Sequence, residues 1–208
     1  MRDLVILGAG VHAGETAEIA ERINQVKPTW NLLGFISPKP EQAGGDLNGY
    51  PILGGPDKVA ELANACCVPE YSGRGIAVPR ERLVTLIDPS CFVSRTAQIG
   101  VGCVIYPHCY IGLNARIGDL VFCLSGCSIN HDDVLEDLVV LASGVRLAGY
   151  VHVEPRCYLG QSCTVRQNIR IGSDSLIGMG AVVVKNVEPY SVMVGNPARK
   201  LRDVRDKK

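Results

Sequence analysis

The chain has little of three things. Basic and acidic side chains cancel, 21 against 21 in 208 residues, so no global field draws it toward nucleic acid or an anionic membrane surface. No apolar run approaches the ~20 residues that span a bilayer. Met1-Arg2-Asp3 leads straight into a strand-like run rather than a secretion signal. Together these predict a cytoplasmic protein with neither a nucleic-acid nor a membrane partner. Histidine is scarce too, at four residues, so each can be weighed singly. Cysteine is plentiful, at nine residues, but no two stand in a C-x-x-C pair, which takes away the usual zinc and redox spacings.

What the chain has in abundance is a six-residue repeat. Bulky aliphatics fall at Ile87, Val93, Ile99, Ile105, Ile111 and Ile117 and, past Cys123, continue in register from Ile129 to Val183. Four places after each stands a small or apolar residue, from Cys91 and Ala97 to Ala181 and Val187, with Asp133 the exception. Seventeen consecutive hexads keep this register. A helix would need apolar spacings of three and four; a fixed period of six belongs to a parallel β-helix, whose units bury their apolar faces only by stacking. Three faces to a coil make each coil 18 residues, and almost six coils at ~4.8 Å each stand roughly 27 Å tall. Seven of the cysteines (91, 103, 109, 123, 127, 157 and 163) occupy inward positions of the repeat. They read as small hydrophobes, structural thiols in a reducing compartment.

Ahead of the repeat, residues 3–7 form a short apolar strand run, followed by Gly8-Ala-Gly-Val-His-Ala-Gly14 and an amphipathic helical segment to about Val26. Residues 31–37 read as a second strand, making a βαβ start. A glycine-rich turn opening a helix suits phosphate, because backbone N–H groups converge there. A dinucleotide site would also want an acidic residue after the second strand, where this chain has Ser37-Pro38, so the turn fits a looser nucleotide or phosphate site better than NAD. Residues 38–56 are rich in turn formers, residues 57–65 resemble a short helix, and residues 66–82 read as loop with one candidate strand at 75–78. The expected organisation is an α/β Rossmann-like domain over residues 1–86, a parallel β-helix over 87–195, and a cap or tail over 196–208 that covers the last open coil.

His131 holds the third position of its hexad, facing outward near a corner, with Asp132 beside it and Asp133 at an inward place kept elsewhere for small apolar residues. A carboxylate beside an imidazole fixes its tautomer and raises its basicity, as a general base requires. One coil further on stands Gly149, which leaves a gap and a backbone N–H able to meet a developing oxyanion. On these residues alone a solvated His-Asp turn and a catalytic one both remain open. His108 and His152 share no column with His131 or each other, so no zinc site is expected and both read as surface residues. His12, inside the glycine turn, is either a helix cap or a contact for a substrate phosphate.

In order along the chain, Gly8-Ala-Gly-Val-His12, Gly34-Phe35-Ile36, Pro51-Ile-Leu-Gly54, Ile87-Asp-Pro-Ser90, Asn130-His-Asp132, Leu147-Ala-Gly149 and Gly195-Asn-Pro-Ala198 resemble the bacterial sugar O- and N-acetyltransferases. These are the enzymes grouped with sialic acid O-acetyltransferase and the nucleotide-sugar N-acetyltransferases. The resemblance implies a left-handed β-helix, a homotrimer with sites in clefts between prisms, acetyl-CoA as co-substrate without a metal, and a sugar or nucleotide-sugar acceptor. By the same resemblance His131 is the base, Asp132 its support and Gly149 the backbone donor to the thioester carbonyl. Gln161, Met179 and Gly180 line the CoA channel, and Gly8, Gly10, Val11, His12 and Ser37 contact the sugar nucleotide. The chain departs from the family pattern at Val11, Ser37-Pro38, Leu124, Asp133 and Val140. Two other readings stay open: acetyl transfer to a small non-nucleotide acceptor, and a trimeric binding or scaffold protein without turnover.

Overall fold

A computed structural model describes residues 1–71 and 78–206. The chain forms two compact units, one of residues 1–89 with 101–104, the other of residues 90–100 with the remainder from 105.

In the first unit β1 (Arg2–Leu7), β2 (Trp30–Ile36), β3 (Asp46–Leu47), β4 (Tyr50–Gly54) and β5 (Cys66–Pro69) form one sheet in the order β3-β4-β2-β1-β5. It is parallel except for the β3–β4 hairpin. Its core holds Leu4, Ile6, Phe35, Ile36 and Val68. Helix α1 (Val11–Val26) starts where Gly10 is still extended and buries Ala13, Ala17, Ile19 and Ala20. The expected βαβ start is therefore present. Two expectations need correction. Residues 66–69 are a buried strand rather than loop, because β1 offers them a free edge that no local signal announces. The short helix α2 keeps only Lys58–Glu61; the Arg82 guanidinium donates to the carbonyls of Val59, Leu62 and Ala65 and so ends it. The candidate strand at 75–78 lies, apart from Val78, outside the described residues. The last strand of this unit, β6 (Leu86–Ile87), leads out of it.

The second unit is the three-sided parallel β-helix that the hexads predict. From β7 (Phe92–Val93) to β22 (Val182–Val183) a two-residue strand recurs every six residues. Up to β19 (Thr164–Val165) each pairs with the strand 18 residues on, as Tyr110 does with Ser128, Arg116 with Val134 and Phe122 with Val140. Position one points inward, so Ile111, Ile129, Leu141 and Leu147 are fully buried. The corners are made at position four, which takes the left-handed conformation even where it is not glycine: φ is 58° at Leu120, 59° at Asp132 and 62° at Leu138. A left-handed L-residue costs roughly 1–2 kcal/mol. The stack offsets this with a bond at each corner, as when Asp132 N–H donates to Leu113 carbonyl at 2.9 Å and Leu138 N–H to Asp119 carbonyl at 3.0 Å. β23 (Ser191–Val194) and β24 (Arg199–Asp203), antiparallel to each other, close the far end.

All nine cysteines are free thiols, and all but Cys91 are buried. Burial pushes the thiols of Cys157 and Cys163 up to about 12, so they are inert packing groups rather than nucleophiles. Because each hexad's aliphatic fills the interior, Leu141→Ala should cost about 2–5 kcal/mol, read as a lower midpoint in a urea melt.

Candidate active site

His131 sits at the corner between β13 (Ser128–Ile129) and β14 (Val134–Leu135), with a side chain 53% exposed. Its Nδ1 lies 3.0 Å from Asp132 Oδ2. With Nδ1–H donating to that carboxylate, the Nε2 lone pair is left available, the tautomer a general base needs. The hydrogen bond from His131, then a second from Asn114 Nδ2 at 3.2 Å, holds the Asp132 carboxyl below its ordinary range. Asp132 therefore stays ionised where the histidine works. Tyr150 completes the surround, its ring edge-on to the imidazole at 5.0 Å between centroids. Asn114 and Tyr150 lie 18 residues before and after Asp132, so the repeat arithmetic that singles out Gly149 points to both as well.

Gly149 stands under the histidine. Its φ is +92°, and a Cβ there would come within 2.9 Å of His131 Nε2. Only glycine lets the ring lie this close. The space expected to stay open for a ligand is instead filled by the imidazole, a correction to the sequence reading. No described residue accepts from the Gly149 N–H.

Asp133 is fully buried at the inward position. It accepts from Asn130 N–H at 2.7 Å and Val151 N–H at 2.8 Å. Burial outweighs these bonds and pushes its carboxyl up to about 6.

Gln161, Met179 and Gly180 come together on a different corner of the same chain: Gly180 N–H donates to Gln161 carbonyl at 2.8 Å. Met179 is 76% exposed, and nothing lies within 4 Å of where a Gly180 side chain would be. That corner is exposed and open above Gly180.

In the first unit the glycine turn already holds an anion. Glu70 Oε2 accepts from Gly10 N–H at 3.1 Å, and a Cβ at Gly8 would overlap the same carboxylate. Glu70 lies 60 residues from Gly10, and no sequence pattern points to it because only the β1–β5 pairing brings it there. His12 Nδ1 is 2.9 Å from Glu15, and its ring stacks on Tyr71. Val11 is 77% exposed beside it. Ser37 is buried and occupied, donating to Gln42 and accepting from Lys39 N–H. Among the described residues no group of three His, Cys, Asp or Glu could hold a metal, and no helix is long and apolar enough to cross a membrane.

Known proteins share this fold. Residues 3–69 match the PglD N-terminal domain. A point mutant of the Caulobacter crescentus GDP-perosamine N-acetyl transferase, solved with CoA and GDP-perosamine, superposes with a TM-score of 0.85 at 25% identity, covering 98% of each chain. The acetyltransferase domain of PglB from Neisseria gonorrhoeae, solved with acetyl coenzyme A, gives 0.84 at 25% identity over 96% of this chain and 99% of that one. An Agrobacterium fabrum acyl-[acyl-carrier-protein]–UDP-N-acetylglucosamine O-acyltransferase is 44% identical over 57 residues, which is 27% of this chain and 21% of that protein. The chain spans under a third of the length of the curated relatives it matches. The architecture is a Rossmann-like domain followed by a left-handed β-helix. Over nearly its full length the chain is therefore similar to solved bacterial acetyltransferases.

Proposed function

We propose that the protein transfers the acetyl group of acetyl-CoA to an amino or hydroxyl group of a sugar, and that this sugar is nucleotide-linked. The observation that carries the reading is the His131–Asp132 pair, its Nε2 free and held over Gly149. In the transfer the acceptor's nitrogen or oxygen attacks the thioester carbonyl carbon as His131 Nε2 takes its proton. The Gly149 N–H meets the oxyanion that develops. The C–S bond then breaks, and the imidazolium returns the proton to the departing thiolate. No covalent enzyme intermediate is needed, consistent with inward-facing thiols of raised pKa. Gln161, Met179 and Gly180 would hold the CoA chain at their exposed corner.

Gly8, Gly10, Val11 and His12 would contact the sugar nucleotide in the first unit. Glu70 changes what they can accept: a carboxylate at the head of α1 repels phosphate and suits ribose or sugar hydroxyls. Ser37 is enclosed and would act by shaping the turn at Lys39. Support for a nucleotide-sugar acceptor comes from the full-length likeness to a protein solved with GDP-perosamine. The reading implies a cytoplasmic homotrimer, and light scattering at monomer mass would count against that assembly.

The test is mass-spectrometric detection of acetylated product from acetyl-CoA and a panel of UDP- and GDP-linked amino sugars, with free sialic acid and small amines alongside. Product from a nucleotide-linked sugar is expected. Product only from small amines would move the acceptor to the non-nucleotide class. Failure to bind acetyl-CoA would leave a scaffold.

A further inference from the structure

The strand ladder of the β-helix is interrupted beside His131. Along this corner, position-two amides bond the coil above: Ser94 N–H donates to Ile111 carbonyl, Gly112 N–H to Ile129 carbonyl and Ala148 N–H to Val165 carbonyl. Asn130 N–H should likewise donate to Leu147 carbonyl. It turns instead to Asp133 Oδ2 at 2.7 Å, and the Asn130 side-chain amide takes the vacated Leu147 carbonyl at 2.5 Å.

Position-five amides along this corner differ in their partners. Ala97, Ala115 and Asp133 each donate to the carbonyl three residues back. Val151 does not; its N–H goes to Asp133 Oδ1 at 2.8 Å. The strand pairing records the result. β13 meets β16 (Arg146–Leu147) through Ser128 and Arg146 alone, whereas neighbouring steps of that sheet pair two residues. In the loosened turn Gly149 takes φ +92° at position three, where no other described residue of the helix from 101 to 179 has positive φ.

We propose that Asp133, with Asn130, is a positioning residue: its buried carboxylate opens the ladder between two coils and fixes the Gly149 turn against the His131 ring. The carboxylate is bonded on one oxygen to the amide before His131 and on the other to the amide two residues after Gly149. It is a side-chain link between the two turns, beside the direct bond from Tyr150 N–H to the His131 carbonyl at 3.2 Å. A carboxylate is needed because two N–H donors converge on one side chain, and an amide or thiol cannot accept both well. His131 and Asp132, from its own turn, are the ionisable groups acting on it; the equivalent inward positions of the coils on either side are the uncharged Ala115 and Val151.

The inference rests on the acetyl-transfer reading, so its test has one arm that needs no turnover. In the wild-type protein the amide proton resonances of Asn130 and Val151 are expected to shift together as Asp133 titrates near pH 6, and in Asp133→Asn this joint titration disappears. In the activity arm log kcat/KM of the wild type is expected to fall more steeply at acid pH than that of Asp133→Asn, because only the wild type has the Asp133 carboxylate to protonate. Asp133→Asn should lower kcat by about 10- to 100-fold with KM for acetyl-CoA changed less than about threefold, and its acid limb should be shallower than that of the wild type. Asp133→Cys, which matches the size of the other inward residues, should show the same loss with the fold intact. Amides of Asn130 and Val151 that do not titrate, or an Asp133→Asn enzyme within twofold of wild type with the same slope, would overturn the proposal. A wild type without transfer activity but with titrating amides would sink the acetyl-transfer reading and leave the carboxylate link standing.

Discussion

His131→Ala is expected to lower kcat by about a hundredfold or more, equivalent to about 2.7 kcal/mol of transition-state stabilisation, with little change in the melting temperature. The side chain is half exposed and its one side-chain hydrogen bond is to a neighbouring surface carboxylate, so removing it leaves no cavity and no buried orphan. A general base is missed only when the acceptor must lose its proton, so the effect should fall on kcat rather than on the KM for acetyl-CoA. Steady-state kinetics by mass detection, with melting followed by circular dichroism, separate the two quantities. A variant that retains wild-type kcat would mean that the acceptor reaches the thioester already deprotonated and that His131 is not the base.

The second large effect is expected at Gly149. Gly149→Ala puts a methyl group within 2.9 Å of His131 Nε2 and forces an L-residue to φ +92°. The backbone cost is about 1–2 kcal/mol, a moderate fall in stability. The catalytic cost should be larger, because the ring must move off the turn, and a displacement of ~1 Å in a reacting group can cost ~100-fold. The expected signature is a kcat loss approaching that of His131→Ala. A double variant should lose little more than either single one, since the two changes disturb one contact. Additive losses would show instead that Gly149 and His131 act separately.

The β-helix is legible in the chain because one physical rule, an aliphatic every six residues, governs all of it. The His131–Asp132 pair stands out beside Asp133, the one breach of the companion rule that keeps a small or apolar residue four places after each aliphatic, and Gly149 follows from it by counting a coil. How the breach is accommodated is not legible. Asp133 is partnered by two backbone N–H groups, and backbone groups have no sequence signature. Glu70 is hidden for a related reason: its approach to Gly10 depends on β5, a four-residue strand with no turn signal to bound it. Asn114 and Tyr150 share the His131 corner by the same count of 18, yet an asparagine and a tyrosine on an outer corner look like ordinary surface residues until Asn114 is seen to bond Asp132 and Tyr150 to meet the imidazole. Residues 38–56 conceal a hairpin because their glycines and prolines advertise turns more loudly than the short strands between them.

The corner-by-corner stacking also constrains how such a chain can lengthen or shorten over time. His131 and Gly149 meet because they are 18 residues apart and share a corner. Losing a single hexad between them would bring the next corner round in place of Gly149, and the imidazole would lie against a side chain instead of a bare backbone. Gaining or losing a whole coil elsewhere would leave that meeting untouched, adding or removing height alone. Viable insertions and deletions in this half of the molecule are therefore quantised, and drift in length proceeds by entire coils or is confined to the ends.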